Sequence, residues 1–223
     1  MKQPPKIVVG MASRGYDVCP HAITFVNHVQ KTHNAIFVSQ ICGFNAVPAQ
    51  EGVFWRAHEQ EADYLLIIDS DVIPNPDSLD ILLACSKDIV VAPIWHYNNM
   101  NGQIFIDATK TLEERIVDIK EKGLEEIVSA SFGCVLISKK LINTFFEKKE
   151  MFVYWSNLLP ESAYPCSSDI IFFLKAKTLG FQPYVCWDAQ GGEHYTRVHL
   201  SNRVLSKFLK ENKPFDTKTW IES

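Results

Sequence analysis

Ala62-Asp63-Tyr64-Leu65-Leu66-Ile67-Ile68-Asp69-Ser70-Asp71-Val72-Ile73-Pro74 is the stretch that decides the fold. An unbroken apolar run, Tyr64 to Ile68, ends abruptly in two carboxylates one residue apart. A strand buried in a parallel sheet reads as a continuous apolar run rather than an alternating one. Ligands bind at the carboxyl ends of such strands. Residues i and i+2 of an extended chain share a face, so Asp69 and Asp71 can address the same object. Two carboxylates about 4 Å apart repel by roughly 4 kcal/mol at an effective dielectric of about 20. A divalent cation removes that repulsion, and hard oxygen ligands suit Mn2+ or Mg2+. The same residues also fit a plainer arrangement, with Asp69 capping a turn and Asp71 solvated.

Working outward, Lys6 to Ala12 reads as a first strand, followed by the polar loop Ser13-Arg14-Gly15-Tyr16-Asp17. Pro20 to Lys31 has helical spacing in Ile23, Val26 and Val29. Asn34 to Cys42 is a second strand, and Ala49 to Glu61 a helix that delivers the chain to the strand ending at Asp69. Pro76-Asp77-Ser78-Leu79 opens another helix, with proline and acid in the first turn, and Asp88 to Ile94 is a fourth strand. The β-α-β-α-β-α-β order predicts an α/β domain with a mainly parallel, doubly wound sheet. Leu112 to Lys122 reads as a surface helix, Ile127 to Ile137 as a strand or strand pair, and Lys139 to Lys149 as a helix. Met151 to Pro165 is irregular and aromatic. Ser167 to Gly180 is a helix closed by its glycine, Phe181 to Trp187 a short strand, and Ser201 to Glu211 a last helix. No domain boundary shows along the chain, so one domain over 1–223 is expected, with a helical tail over about 201–223.

Composition narrows the function classes. The 223 residues are 47% hydrophobic, enough for one well-buried domain. A net charge of -4 gives no bulk attraction to nucleic acid or to an anionic membrane. The six cysteines form no CxxC pair, so spacing indicates buried free thiols rather than a zinc site. No leader-like apolar core follows Met1, and no apolar run is long enough to be a transmembrane segment. The expectation is a soluble, cytoplasmic protein.

Other clusters carry chemistry. Ser168-Asp169 opens an apolar helix, where an acid is favoured by the helix dipole and also serves as a cap. Asp188-Ala189-Gln190-Gly191-Gly192-Glu193-His194 is a loop whose glycines permit an unusual path. Gly133 lies inside the strand pattern Ser129 to Ile137, marking a bulge or the close approach of a ligand. Trp95-His96-Tyr97 offers an aromatic platform after the fourth strand.

Taken in order, these features resemble the metal-dependent glycosyltransferases of GT-A type, in particular the compact family-2-like enzymes. The resemblance spans about residues 6 to 200 and rests on the Asp-x-Asp strand Tyr64 to Pro74, on Pro76 to Leu79 and on Ile89-Val90-Val91-Ala92-Pro93. It implies a single GT-A-like, Rossmann-like domain that moves a sugar from a nucleotide-diphosphate donor, UDP- or GDP-linked, to a hydroxyl. Asp69, Asp71 and His194 would hold Mn2+ or Mg2+. Ala12, Ser13, Arg14, Gln50, Asp69 and Trp95 would bind the donor. Asp169 matches the general base of inverting members. The acceptor class stays open between glycan, lipid, protein and modified nucleobase. Two positions depart from the family pattern. Ser168-Asp169 stands where Glu-Asp is usual, and Ala49-Gln50-Glu51 where many members carry Ala-Arg-Asn. Losing that arginine removes a phosphate contact, unless Arg56, Arg197 or Arg203 replaces it. The competing readings are a metal-dependent phosphohydrolase, a nucleotidyltransferase, and a non-catalytic nucleotide-sugar or glycan-binding module of the same fold. The phosphohydrolase usually carries its acid pair on the first strand, not the third. The nucleotidyltransferase needs a Gly-rich basic first loop, which this chain lacks.

Overall fold

The computed structural model describes residues 3–13, 18–41, 47–98, 103–106, 108–110, 120–148, 168–189 and 193–194, with backbone alone at 96–98, 103–106 and 193–194. The chain opens with β1 (Ile7–Ser13), α1 (Pro20–Thr32), β2 (Ala35–Ile41), α2 (Val47–Glu59) and β3 (Tyr64–Asp69). Then come β4 (Val72–Ile73), α3 (Ser78–Ala84), β5 (Ile89–Val91), β6 (Trp95–Asn98), β7 (Gln103–Ile106) and β8 (Ala108–Thr109). The later elements are β9 (Leu124–Glu126), β10 (Ser129–Ala130), β11 (Cys134–Ser138), α4 (Lys139–Glu147), α5 (Ser168–Thr178), β12 (Tyr184–Cys186) and β13 (Glu193–His194). A single 3-10 turn, Trp187–Ala189, follows β12.

The central sheet has seven strands in the order β2-β1-β3-β11-β5-β12-β9. β2, β1 and β3 pair in parallel, as do β5 and β12. β11 threads antiparallel between β3 and β5, and β9 closes the far edge antiparallel to β12. Five strands therefore share one direction, as the apolar runs predict, and two oppose it. Each strand feeds two cores through the period-2 alternation of side chains. Val8, Leu65 and Ile67 face Val53, Phe54, Phe145, Phe172 and Phe173 of α2, α4 and α5. Ile7, Val9, Met11, Leu66 and Ile68 face Phe25, Val26, Val29, Leu79 and Leu82 of α1 and α3. Helices thus cover both faces, which is the doubly wound arrangement. The α2 helix lies so close to β1 that a side chain on Gly10 would run into Val53.

Some of the expected elements change in extent. The fourth strand shortens to Ile89–Val91, ending before Pro93 and β6. The expected strand or strand pair over Ile127 to Ile137 is a pair, β10 and β11. Residues 121–123 are bends rather than the end of a helix, and 111–119 lie outside the described residues. Gly180 closes α5 with φ +86, as its position after the last helical turn requires. A second sheet, β4-β13-β6-β7, has no clear signature in the sequence. The expected tail helix over 201–211 and the aromatic stretch 151–165 lie outside the described residues. Among the described residues no helix is long and apolar enough to cross a membrane.

Two thiols from opposite halves of the chain meet where α3 packs by β12. Cys85 Sγ lies 3.3 Å from Cys186 Sγ. Burial pushes the Cys85 thiol up to about 12, helped by its hydrogen bond to Cys186 and by the charge of Asp188. The unfolded thiol ionises near its ordinary value, so this contribution favours the fold at neutral pH and is lost as pH climbs from 9 towards 12. Iodoacetamide at pH 8 is expected to label Cys85 much more slowly in the folded chain than in urea. Cys186→Ala should speed labelling of Cys85. Site-resolved mass spectrometry showing equal rates in all three states would contradict this account.

Candidate functional site

The carboxyl edge of the parallel strands gathers most of the expected residues. β1 and β3 pair in register, with Ala12 opposite Asp69 and Ser13 one step beyond. Ser13 is buried and Ala12 half-buried. Arg14 lies outside the described residues. α2 leaves the same edge after β2, so Gln50 in its first turn sits there too. α5 runs back to β12 through a short connection, which places its first turn, Ser168-Asp169, at the same edge. The first turns of two helices thus face one mouth, each with the positive end of its dipole towards it.

Asp69 is fixed by its backbone. Its N–H donates to the Gly133 carbonyl at 3.2 Å, just before β11 begins. Gly133 sits where a Cβ would come within 2.6 Å of Ile94 Cγ1. The sequence allows a bulge or a ligand approach here, and the structure answers with tight strand packing. The adjacent Cys134 is fully buried, and burial, reinforced by the charge of Asp69, pushes its thiol up to about 12. Ser70 turns the chain, its carbonyl accepting from Cys19 N–H at 2.7 Å, and leaves Asp71 half-buried at the mouth.

His194 comes to this turn from far along the chain. β13 pairs antiparallel with β4, setting His194 opposite Val72, next to Asp71. Its side chain is outside the described set. β13 also pairs with β6, placing Glu193 beside Trp95. The Trp95 ring lies 6.5 Å from that of Trp187, and its indole N–H is buried with no acceptor among the described residues. No group of three or more His, Cys, Asp or Glu side chains clusters for a metal among the described residues. Asp69 ends β3 and Asp71 lies in the turn two residues on. Two hard oxygen donors fit Mn2+ or Mg2+, ions that keep positions open for phosphate oxygens.

Asp169 accepts from the N–H of Ile170 at 3.0 Å and is half-buried. Its neighbour Ser168 makes a contact that has no sequence signal: Ser168 Oγ donates to Gln50 Oε1 at 2.5 Å, with both residues buried. The two positions that depart from the resembling family's pattern therefore touch each other. A pairing between residues so far apart in sequence leaves no periodicity to read.

No protein-family model matches the sequence, and no curated protein is similar to it by sequence. Solved structures do resemble it in shape. A197 from STIV matches with a TM-score of 0.52 at 14% identity over 82% of each chain. The inositol-1-phosphate CTP transferase from T. maritima matches at 0.50 and 12% identity, covering 97% of this chain and all of that one (100%). GalNAc-T7 with UDP, GalNAc and Mn2+ matches at 0.51 and 8% identity over 87% of this chain, which spans 44% of that one. Likeness at such identities is a likeness of fold. With the strand order above, it makes this chain a single GT-A-like domain on a Rossmann-like sheet.

The Gly133 packing yields a direct test. Gly133→Ala is expected to destabilise the fold by about 1–3 kcal/mol through overpacking against Ile94. Trimming the neighbour, as Gly133→Ala with Ile94→Ala, should return part of that loss in urea denaturation. A single variant as stable as wild type would show that the strand crossing is looser than the geometry states.

Proposed function

We propose that this chain is a metal-dependent glycosyltransferase that uses a nucleotide-diphosphate sugar. The observation that carries this reading is the convergence at one sheet edge of the ends of β1 and β3, the first turns of α2 and α5, and the strand bearing His194. Asp69 and Asp71 would hold Mn2+ or Mg2+, with His194 as a further ligand. Such an ion supplies neutralisation of the diphosphate as charge develops on the leaving group. Ala12, Ser13 and Arg14 would line the nucleotide, UDP- or GDP-linked, and Trp95 the sugar side. Asp169, at a helix start facing the mouth, would take the proton of the acceptor hydroxyl as its oxygen attacks the anomeric carbon and the nucleoside diphosphate leaves, with inversion. The acceptor is a glycan, lipid, protein or modified nucleobase, and cytoplasmic placement remains part of this proposal.

Nucleotidyl transfer is the second reading, supported by the full-length overlap with a CTP transferase fold. The two reactions release different products. A glycosyltransferase liberates nucleoside diphosphate from a nucleotide sugar, whereas a nucleotidyltransferase liberates pyrophosphate from a nucleoside triphosphate.

Calorimetry with UDP and GDP should give much tighter binding with Mn2+ or Mg2+ than with EDTA, and Asp71→Ala should erase the difference. Equal affinities with and without metal in the wild type would reject the metal role. Asp169→Asn should keep donor affinity and lower transfer by at least about a hundredfold, the usual scale for a lost general base. An asparagine caps a helix as well as an aspartate, so near-wild-type turnover by this variant would reduce Asp169 to a cap.

A further inference from the structure

We propose that Gln50 and Ser168 act together as a positioning pair that holds the first turn of α5, and with it the Asp169 carboxylate, against α2. The catalytic part of this proposal rests on the transferase reading. The mechanical part stands on its own.

The contact between the two helices has two layers. In the upper layer, at the site mouth, Ser168 Oγ donates to Gln50 Oε1. One helical turn deeper on each helix, Phe54 and Phe172 meet edge to face, ring centroids 5.3 Å apart and planes at 61°. Residues i and i+4 share a helix face, so the hydrogen bond and the ring contact lie on one seam. Phe54 and Phe172 are nearly or fully buried, and Phe145 and Phe132 pack around Phe172. The lower layer fixes how far apart the helices lie, but a ring contact is tolerant of rotation about the helix axis. The hydrogen bond restricts that freedom, because a 2.5 Å contact between two buried groups tolerates little change of geometry. Asp169 is the next residue along, bonded to the adjacent N–H of Ile170. A rotation of the first turn would swing its carboxylate away from the mouth. Gln50 is thus occupied in bracing α5 rather than in gripping a donor phosphate, which revises the donor-binding expectation for that residue.

The test uses the full chain with Gln50→Leu, Ser168→Ala, the double variant, and Ser168→Thr, which keeps a hydroxyl. Phe172→Leu serves as a packing control. Turnover is followed with UDP-glucose and GDP-mannose in Mn2+, with water as acceptor, and amide exchange is followed at 169–171. Gln50→Leu and Ser168→Ala should each lower kcat about ten- to a hundredfold with donor KM within about twofold of wild type. The double variant should be no worse than the poorer single, because both remove one interaction. Ser168→Thr should regain most of the lost kcat. Phe172→Leu should lower the melting temperature without this split between kcat and KM. Exchange at 169–171 should quicken in Gln50→Leu and Ser168→Ala. A raised donor KM with unchanged kcat in Gln50→Leu would overturn the proposal in favour of a donor contact. Additive losses in the double variant would also overturn it. If the wild type turns over neither donor, the catalytic part falls with the transferase reading. The brace itself is then judged by exchange, and unchanged protection at 169–171 in both single variants would remove it.

Discussion

The passage of β11 between β3 and β5 is the constraint on which the rest of the molecule depends. A strand running against its neighbours must satisfy both of them at once, and it does so with Val135, Leu136 and Ile137 in register on each side. The fit requires Gly133 at the entry, where Ile94 leaves no room for a side chain. The glycine carbonyl then receives the N–H of Asp69, so the residue at which the chain leaves the sheet is set by the crossing. The position of Asp69 is therefore a property of the sheet, whereas Asp71 sits in the turn that follows. Rigid elements hold a site more closely than loops do.

Polarity adds to this geometry. Strand ends contribute carboxylates to the mouth, and the opening turns of α2 and α5 contribute the positive ends of their dipoles. On the proposed reading, a mouth that mixes both signs would suit a ligand that carries a cation alongside phosphate. The apolar cores on either face exclude water from beneath it, with Phe172, Phe173 and Trp187 fully or almost fully buried on one side and Met11, Leu66 and Ile68 on the other.

Legibility of these features in the sequence followed their range. β1 and β3 were plain because a strand buried on both faces is an unbroken apolar run. α1 was readable from its spacing, and α5 from its closing glycine. The direction of β11 was not, since an apolar run reads the same whichever way the strand points. β4, β7 and β13 are two to four residues long, too short to show a period. Asp69 and Asp71 could be picked out because a carboxylate pair at the end of an apolar run is conspicuous, and Asp169 because it opens another apolar run. That His194 would pair beside Asp71 needed the family resemblance rather than the residues themselves. The Gln50–Ser168 contact had no local trace, since each partner alone is an ordinary polar residue in a helix's first turn. Gly133 was noticed for the right reason, a glycine in a strand, but the object that approaches it is Ile94.

The second sheet has a consequence for the order in which the molecule assembles. β1, β2 and β3 lie close in sequence, and short loops close early and at little entropic cost. β4 and β6 receive their shared partner β13 from near residue 194. A chain emerging from the ribosome can therefore build the β1-α1-β2-α2-β3 half while the turn at Asp71 still lacks its cross-strand neighbour. Among the described strands, the one that completes the second sheet is therefore the last to be synthesised. Species trapped late in folding are expected to have an intact central core and an unfinished site, compact in shape yet inert.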